Sequence, residues 1–168
     1  MNSTDVLIDA FARVRDSLHH AVDGLRMDQL THRPDDQANS IAWLTWHLSR
    51  VQDDHVAEVA GVEQLWTSAG WADRFGLPFA LSEIGYGQKP EAIAAVLVEA
   101  DLLMGYYDAV HDRTISYIRQ VDDDGLDRIV DTSWDPPVSL GQRLVSVVND
   151  NLQHVGQAAY LRGLVERR

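Results

Sequence analysis

Histidine and aspartate residues at helical spacings are the groups in this sequence whose side chains could do chemistry. In the stretch WLTWHLSRVQDDH, residues 43–55, His47 and His55 are separated by about two turns of an α-helix. In the stretch DNLQH, a helix would place Asp150 and His154 on one side, at positions i and i+4. Imidazole and carboxylate groups bind divalent metal ions such as zinc, nickel and iron. The two segments therefore supply ligands for one metal site if the fold brings them together.

Spacing alone does not separate a metal-binding pair from ordinary contacts within a helix. Asp16 with His20 and Asp28 with His32 have the same spacing, but the first pair lies opposite an apolar face and the second in a predicted loop. The pair in DNLQH lies along an apolar face, where an unpaired charge is strongly destabilising. A hydrogen bond within the helix and a shared metal ion are both open interpretations of this pair.

Besides His154, three histidines lie on or beside predicted apolar faces: His47, His55 and His111. For each of them, a core histidine satisfied by a hydrogen bond is an alternative to a functional role. His55 and His111 have no ligand-type residue four positions away on the same helix, which favours the structural role. We expect solvated side chains at His19, His20 and His32, and core or pocket-lining rings at Trp43 and Trp46.

The composition limits the possible partners and the location. The 168 residues are the size of one domain, spanning 1–168, and 45% of them are hydrophobic, as in globular proteins. A net charge of −12 disfavours binding to nucleic acid or to an anionic membrane surface. No apolar run suits a membrane span and the first residues do not form a signal peptide, so we expect a cytoplasmic protein. The sequence has no cysteine, so any sulfur chemistry must use a small-molecule thiol.

The elements that position these residues follow from apolar periodicity. It predicts four long helices, at about residues 4–25, 41–60, 91–121 and 140–165. Ser40 and Gly61 have the residue types that begin and end a helix, and Ser139 begins the last one. No strand pattern stands out. The predicted fold class is therefore all-α, a four-helix bundle.

Residues 62–88, between the second and third helices, lack periodicity and contain scattered glycines and aromatic residues. A connection this long is unusual in a compact domain and is often functional. It leaves room for a crossover topology. Its aromatic side chains could cover either a pocket mouth or an interface between two copies of the chain.

Three segments carry a family resemblance: NSIAWLTWHLSRVQDDHVAE, GWADRFGLP and LVSVVNDNLQHVGQAAYLRGL. They resemble the DinB-like superfamily, in particular its actinobacterial DUF664 branch, over nearly the whole chain. The resemblance implies a metal ion held by one histidine of the second helix and an H-x-x-x-H-type pair of the fourth, at positions that are here His47, Asp150 and His154. Asp150 departs from the common histidine, but the related mycothiol-dependent maleylpyruvate isomerases have a glutamate there. The resemblance also implies a homodimer.

The resemblance further implies an activity, because characterised relatives include S-transferases that use mycothiol or bacillithiol. Three protein ligands leave open positions on a divalent zinc, nickel or iron ion, and a thiol that binds there loses its proton. A small-molecule electrophile would then accept the sulfur. His55, His111 and Asp54 are candidates for supporting the ligands or carrying protons.

Two alternatives remain open from the sequence. A metal-dependent hydrolase would use Asp54 or Glu58 as a general base beside the metal. A non-catalytic, stress-related metal-binding bundle would need no substrate at all. No cluster of basic residues indicates an anionic substrate in any of these cases, but Arg50 and Arg143 could face the pocket.

Overall fold

The computed structural model describes residues 1–167, which form a bundle of four long helices with short elements in the connections. The elements in chain order are α1 (Ser3–Val22), α2 (Met27–Leu30), α3 (Ile41–Ala60), α4 (Leu65–Ser68), α5 (Trp71–Phe75), α6 (Pro90–Ala94), α7 (Ala100–Ile118), α8 (Asp123–Leu126), β1 (Ile129–Asp131), β2 (Val138–Ser139) and α9 (Leu140–Val165). The predicted all-α class is confirmed. The small antiparallel pair β1–β2 is an addition that periodicity does not predict. No helix within residues 1–167 is both long enough and apolar enough to cross a lipid bilayer.

Helices α3 and α9 begin and end where the sequence predicts. The Ser40 hydroxyl accepts a hydrogen bond from the backbone N–H of Trp43 at 3.1 Å and so caps α3. Gly61 ends this helix in the left-handed conformation, with φ of 67°, which glycine adopts without strain. Ser139 caps α9 in the same way as Ser40 caps α3.

The predicted third helix is wrong over part of its length. Helix α6 ends at Ala94, and α7 begins only at Ala100. Between them, Val96 and Val98 are buried while Leu97 is 64% exposed, the alternation of an extended chain. Leu97 is therefore not a core residue, although an unbroken helix over residues 91–121 would place it on the apolar face with Ile93 and Met104. The first helix is also shorter than predicted, because α1 ends at Val22.

The four long helices pack so that α3 and α1 each contact both α7 and α9. The apolar core consists of two clusters, one toward each end of the bundle. Between them, buried polar residues of α3, α7 and α9 are hydrogen-bonded to one another, namely Gln52, Thr114 and Asn151. The Asn151 amide donates to Gln52 Oε1 at 2.6 Å, and Gln52 Nε2 donates to the Thr114 hydroxyl at 2.9 Å. We call these three residues the polar belt.

The far end of the connection 62–88 is fastened to α3 by Arg50. This side chain is fully buried rather than facing a pocket. Its guanidinium donates to the backbone oxygens of Glu83, at 3.2 Å, and Leu81, at 3.3 Å. Buried guanidinium groups need several acceptors, and main-chain carbonyls satisfy this need here. Arg50 therefore fixes the backbone just before residues 84–86.

The near end of the same connection is fastened by Asp53. Its carboxylate accepts from the backbone N–H groups of Leu65, at 3.0 Å, and Trp66, at 2.8 Å, at the start of α4. Arg113 of α7 donates to the same carboxylate at 2.5 Å. The two ends of a long loop are thus held by neighbouring residues of one helix.

Candidate metal centre

Three potential ligands meet where α3 packs against α9. One side-chain donor atom from each of His47, Asp150 and His154 lies within 4.8 Å of the other two. The rings of the two histidines have their centroids 4.6 Å apart and are inclined by 73°. Residues from two distant parts of the sequence therefore converge. That they bind a metal ion stays a prediction.

The imidazole of His47 is buried and fixed on two sides. Its Nδ1 atom lies 2.5 Å from the backbone oxygen of Ile84. Because a carbonyl oxygen only accepts, Nδ1 carries the proton and Nε2 presents its lone pair to the cluster. The Trp43 ring stacks on this imidazole, with centroids 4.7 Å apart and planes inclined by 12°. The ring is thus oriented before any ligand arrives.

The connection approaches His47 so closely that only glycine fits beside it. A Cβ atom on Gly85 would lie 2.4 Å from His47 Nδ1, and the φ of Gly85 is 107°. Next to it, Tyr86 contacts the imidazole edge-on, with a centroid distance of 5.2 Å. Sequence reasoning did not single out Ile84, Gly85 or Tyr86. The length and glycine content of the connection indicate a functional segment, but not which of its residues reach the site.

The pair on α9 makes one contact within the helix and leaves a carboxylate oxygen unsatisfied. His154 Nδ1 donates to the backbone oxygen of Asp150 at 2.7 Å, so Nε2 of this ring also keeps its lone pair. Asp150 Oδ2 is buried and has no hydrogen bond within residues 1–167, although it lies 3.3 Å from His154 Nδ1. A buried, unsatisfied carboxylate oxygen beside two available imidazole nitrogens fits a divalent cation.

The two histidines have opposite pKa shifts. Burial lowers the pKa of His47, and the neighbouring His154 lowers it further. Burial opposes protonation of His154 as well, but the nearby carboxylate and the backbone oxygen of Asp150 outweigh it and raise the pKa of this histidine. His47 is thus neutral at physiological pH, the form that binds metal ions.

A model of the mycothiol-S-transferase family matches residues 6–167. The chain belongs to the mycothiol S-transferase family. This family is DinB-like, which confirms the predicted resemblance. The chain is also similar to a crystal structure of a conserved protein from Enterococcus faecalis, at 30% identity and a TM-score of 0.93, with 100% of this chain and 99% of that chain covered. No curated protein matches.

In this member of the mycothiol S-transferase family, a cavity of about 400 Å³ opens beside the three converging residues. Asp150 forms part of its wall, and so do His55 and Arg143. His55 and Arg143 thus lie beside the candidate metal centre, and a functional role for either stays a prediction. Burial lowers the pKa of His55, and the positive charge of Arg143 acts in the same direction.

The remaining candidates do not border this cavity, although Asp54 Oδ2 lies 3.7 Å from His55 Nδ1. Asp54 and Glu58 line a separate cavity of about 520 Å³, which none of the three converging residues borders. His111 lies where α7 faces α1; burial lowers its pKa, and Arg15 of α1 contributes. The structure does not bring His111 to the candidate metal centre.

The expectation of a solvated His19 is wrong. Its Nδ1 lies 3.1 Å from Asp23 and its Nε2 lies 3.0 Å from Asp108 of α7. Burial disfavours its protonation, but the two carboxylates outweigh burial and raise its pKa. His20 is exposed, as expected.

Proposed function

We propose that this protein is a metal-dependent S-transferase in which His47, Asp150 and His154 bind one divalent zinc, nickel or iron ion. A low-molecular-weight thiol of the mycothiol type, with bacillithiol as the related candidate, is transferred to a small-molecule electrophile. The observation that carries the proposal is the convergence of three donor groups within 4.8 Å, in a chain that the mycothiol-S-transferase model matches over residues 6–167. We place the reaction in the cytoplasm and the protein in a homodimer, as the superfamily resemblance implies.

The proposed chemistry assigns a separate task to each group. A bound divalent cation lowers the pKa of a coordinating thiol, so that the reactive thiolate exists at neutral pH. Ile84 and Trp43 hold His47 in the orientation for binding. The negative charge of Asp150 would offset part of the positive charge of the metal ion. The chain supplies no sulfur nucleophile because it has no cysteine, which favours a reaction whose thiol is a separate molecule.

The position of the acidic residues favours transfer over hydrolysis. Asp54 and Glu58, the carboxylates that a hydrolase would use as general base, line the other cavity. A general base must reach the proton that it removes, directly or through one water molecule. We therefore rank the hydrolase below the transferase, and the non-catalytic bundle is tested by the assays below.

Metal content is the first test. Protein purified without a metal-affinity tag is expected to contain about one zinc, nickel or iron ion per chain by elemental analysis, as a three-ligand catalytic site requires. His47→Ala is expected to lose this metal, because one of three donors is removed. His20→Ala is the matched control, since His20 is an exposed histidine of α1 that does not belong to the three converging residues, and its loss should leave the metal content unchanged. A wild-type protein without metal, or a His47→Ala variant with full metal content, would refute the site.

Thiol transfer is the second test. Metal-loaded protein is incubated with chlorodinitrobenzene as electrophile and with mycothiol, bacillithiol or glutathione in turn. We expect thioether formation with at least one of these thiols, abolished by chelation and by His154→Ala. A parallel panel of esters without thiol tests hydrolysis. Ester turnover without thiol dependence would favour the hydrolase, and no turnover with a full metal site would favour the non-catalytic bundle.

A further inference from the structure

The cavity beside the candidate metal centre is lined partly by apolar and aromatic side chains. It lies between α3, the connection and α9, and Val51 and Val147 supply apolar surface deep inside it. Two aromatic side chains stand at its mouth with large exposed areas, Tyr86 at 58% and Trp134 at 67%. Exposed aromatic rings beside a cavity offer flat surface for stacking against a planar molecule.

Arg143 brings a guanidinium group, paired with the carboxylate of Asp131, to the wall of the cavity. Within residues 1–167 it is the only lysine or arginine that lines this cavity. Its Nη2 donates to Asp131 Oδ2 at 2.7 Å, and its Nη1 lies 3.3 Å from His55 Nδ1. These contacts fix the orientation of the guanidinium from the side of β1, which ends at Asp131, and of α3, which carries His55. Each terminal nitrogen still carries a second N–H.

The contact between Arg143 and His55 also determines which nitrogen of His55 is protonated. An arginine side chain has no acceptor, so Nδ1 of His55 must accept and the ring proton of the neutral form is on Nε2. His55 is therefore a hydrogen-bond donor toward its surroundings. Ser146 and Asn149, on the same wall, add a hydroxyl and an amide. Arg143 is held by Asp131 from one side and keeps free N–H groups on the other, and such a guanidinium can bind a second carboxylate through paired hydrogen bonds.

We propose that this cavity binds the carboxylate of a planar, unsaturated organic acid, with Arg143 as the recognition residue and His55 as a second donor. The ring or conjugated body of the acid lies against Trp134 and Tyr86. Its reactive carbon thereby faces Asp150 and the metal centre. Calling this acid the electrophile rests on the proposed function, but the binding itself does not.

The test uses trans-cinnamate as the probe and cinnamamide as its uncharged analogue, titrated by calorimetry into the zinc-loaded full chain. We expect cinnamate to bind at least about tenfold more tightly than cinnamamide, the difference expected for a charged hydrogen-bonding partner. Arg143→Gln is expected to weaken cinnamate binding about tenfold and to remove the preference over the amide. Arg143→Lys keeps the positive charge but loses the planar pair of N–H donors, so its affinity for cinnamate should lie between those of the wild type and Arg143→Gln.

A matched control removes a different arginine from the same helix. Arg162 pairs with Glu166 at 2.8 Å and lies about 28 Å further along α9, at 1.5 Å per residue. Arg162→Gln is expected to leave the affinity for cinnamate unchanged. Far-ultraviolet circular dichroism and a melting curve verify that each variant folds. If Arg143→Gln does not fold, Arg143→Lys replaces it as the test variant.

The location of the probe separates this site from simple coordination of the carboxylate by the metal. In the wild type, cinnamate should shift the indole N–H resonance of Trp134, assigned by its loss in Trp134→Phe. If Arg143→Gln folds and binds cinnamate as tightly as the wild type does, the carboxylate is held elsewhere and the inference is wrong. If cinnamate binds with the expected dependence on Arg143 but no thiol is transferred, the carboxylate site is confirmed and the proposed transferase activity is refuted.

Discussion

At the level of single residues, the orientation of His47 depends on main-chain atoms of the connection. The Ile84 carbonyl accepts from Nδ1, and the absence of a side chain at Gly85 allows the backbone to come this close. Such hydrogen bonds to the second ring nitrogen fix the tautomer of a metal-binding histidine, and their removal typically lowers metal affinity about 10- to 100-fold.

Gly85→Ala tests this dependence. The added methyl group would lie 2.4 Å from His47 Nδ1, so the imidazole or the backbone must move. We expect zinc affinity to fall by about 10-fold or more, measured by competition with a chromophoric chelator. Gly87→Ala is the control, because it has a φ of 69° but nothing within 4 Å of the added atom. An equal loss of zinc affinity in the two variants would show that backbone strain, and not the contact with His47, is responsible. A wild-type affinity in Gly85→Ala would contradict the prediction.

His111 makes stability depend on pH. Its side chain is buried, Nδ1 has no hydrogen-bond partner within residues 1–167, and burial lowers its pKa below the usual 6.5. The unfolded chain therefore takes up the proton first as the pH falls. The free energy of unfolding is fully retained above about pH 6.5 and decreases as the pH falls through the lower pKa of the folded state.

Urea midpoints at about pH 7.5 and about pH 5.5, on either side of the usual histidine pKa, measure this effect. We expect His111→Phe to lose less stability than the wild type between these two values. His19→Asn should do the opposite, because carboxylates raise the pKa of His19 and its contribution is present below about pH 6.5 and lost as the pH rises. A decrease in His111→Phe as large as in the wild type would contradict the prediction.

At the level of elements, the connection 62–88 depends on α3 for its position. Arg50 holds the backbone at Leu81 and Glu83, directly before the residues that contact His47. The helix that carries the candidate ligand thus also carries the residue that positions the loop against it.

Arg50→Met is expected to lower the free energy of unfolding by about 3–5 kcal/mol, as breaking a buried charged network does, and to weaken zinc binding as well. The control is Arg113→Met, because Arg50 and Arg113 both pair with Asp53, at 3.8 Å and 2.5 Å, but Arg113 does not contact residues 81–83. It should destabilise the fold and leave zinc affinity in the folded protein unchanged. Urea unfolding and zinc competition measure both effects. An Arg50→Met variant that folds and binds zinc normally would exclude a positioning role.

Most of the bundle could be predicted from sequence because periodicity and capping residues are local signals. Ser40 and Gly61 define the ends of α3 without reference to any other element. The break between α6 and α7 could not be predicted, because the run AAVLV suits a helix and an extended segment equally.

The candidate site could be predicted only in part, for a related reason. The spacing of Asp150 and His154 is visible within one helix, and the resemblance adds His47. The roles of Ile84 and Gly85 come from backbone atoms, which every residue has and no sequence pattern distinguishes. The pairing of Arg143 with His55 joins two helices and depends on their rotation.

At the level of the whole molecule, the polar belt joins three of the four long helices between the two apolar clusters. Asn151 of the belt directly follows Asp150 in the sequence. The polar belt therefore fixes the position of α9 along the axis of α3, because a shifted helix would leave buried amides without hydrogen-bond partners.

Gln52→Leu and Asn151→Leu test the belt as a pair. Each single variant leaves one buried amide without its partner and should lower the free energy of unfolding by about 1–3 kcal/mol. The double variant removes both amides, so we expect its loss to be smaller than the sum of the single losses. Urea unfolding of all four proteins gives the coupling. Strictly additive losses would mean that the two amides do not depend on each other.

Tyr86 touches two regions at once, because its ring contacts His47 on one side and borders the cavity on the other. A molecule that enters the cavity and moves this ring therefore disturbs the loop that orients the imidazole. Occupancy of the cavity and affinity for the cation are then thermodynamically linked, and the linkage is reciprocal: each changes the other by the same factor.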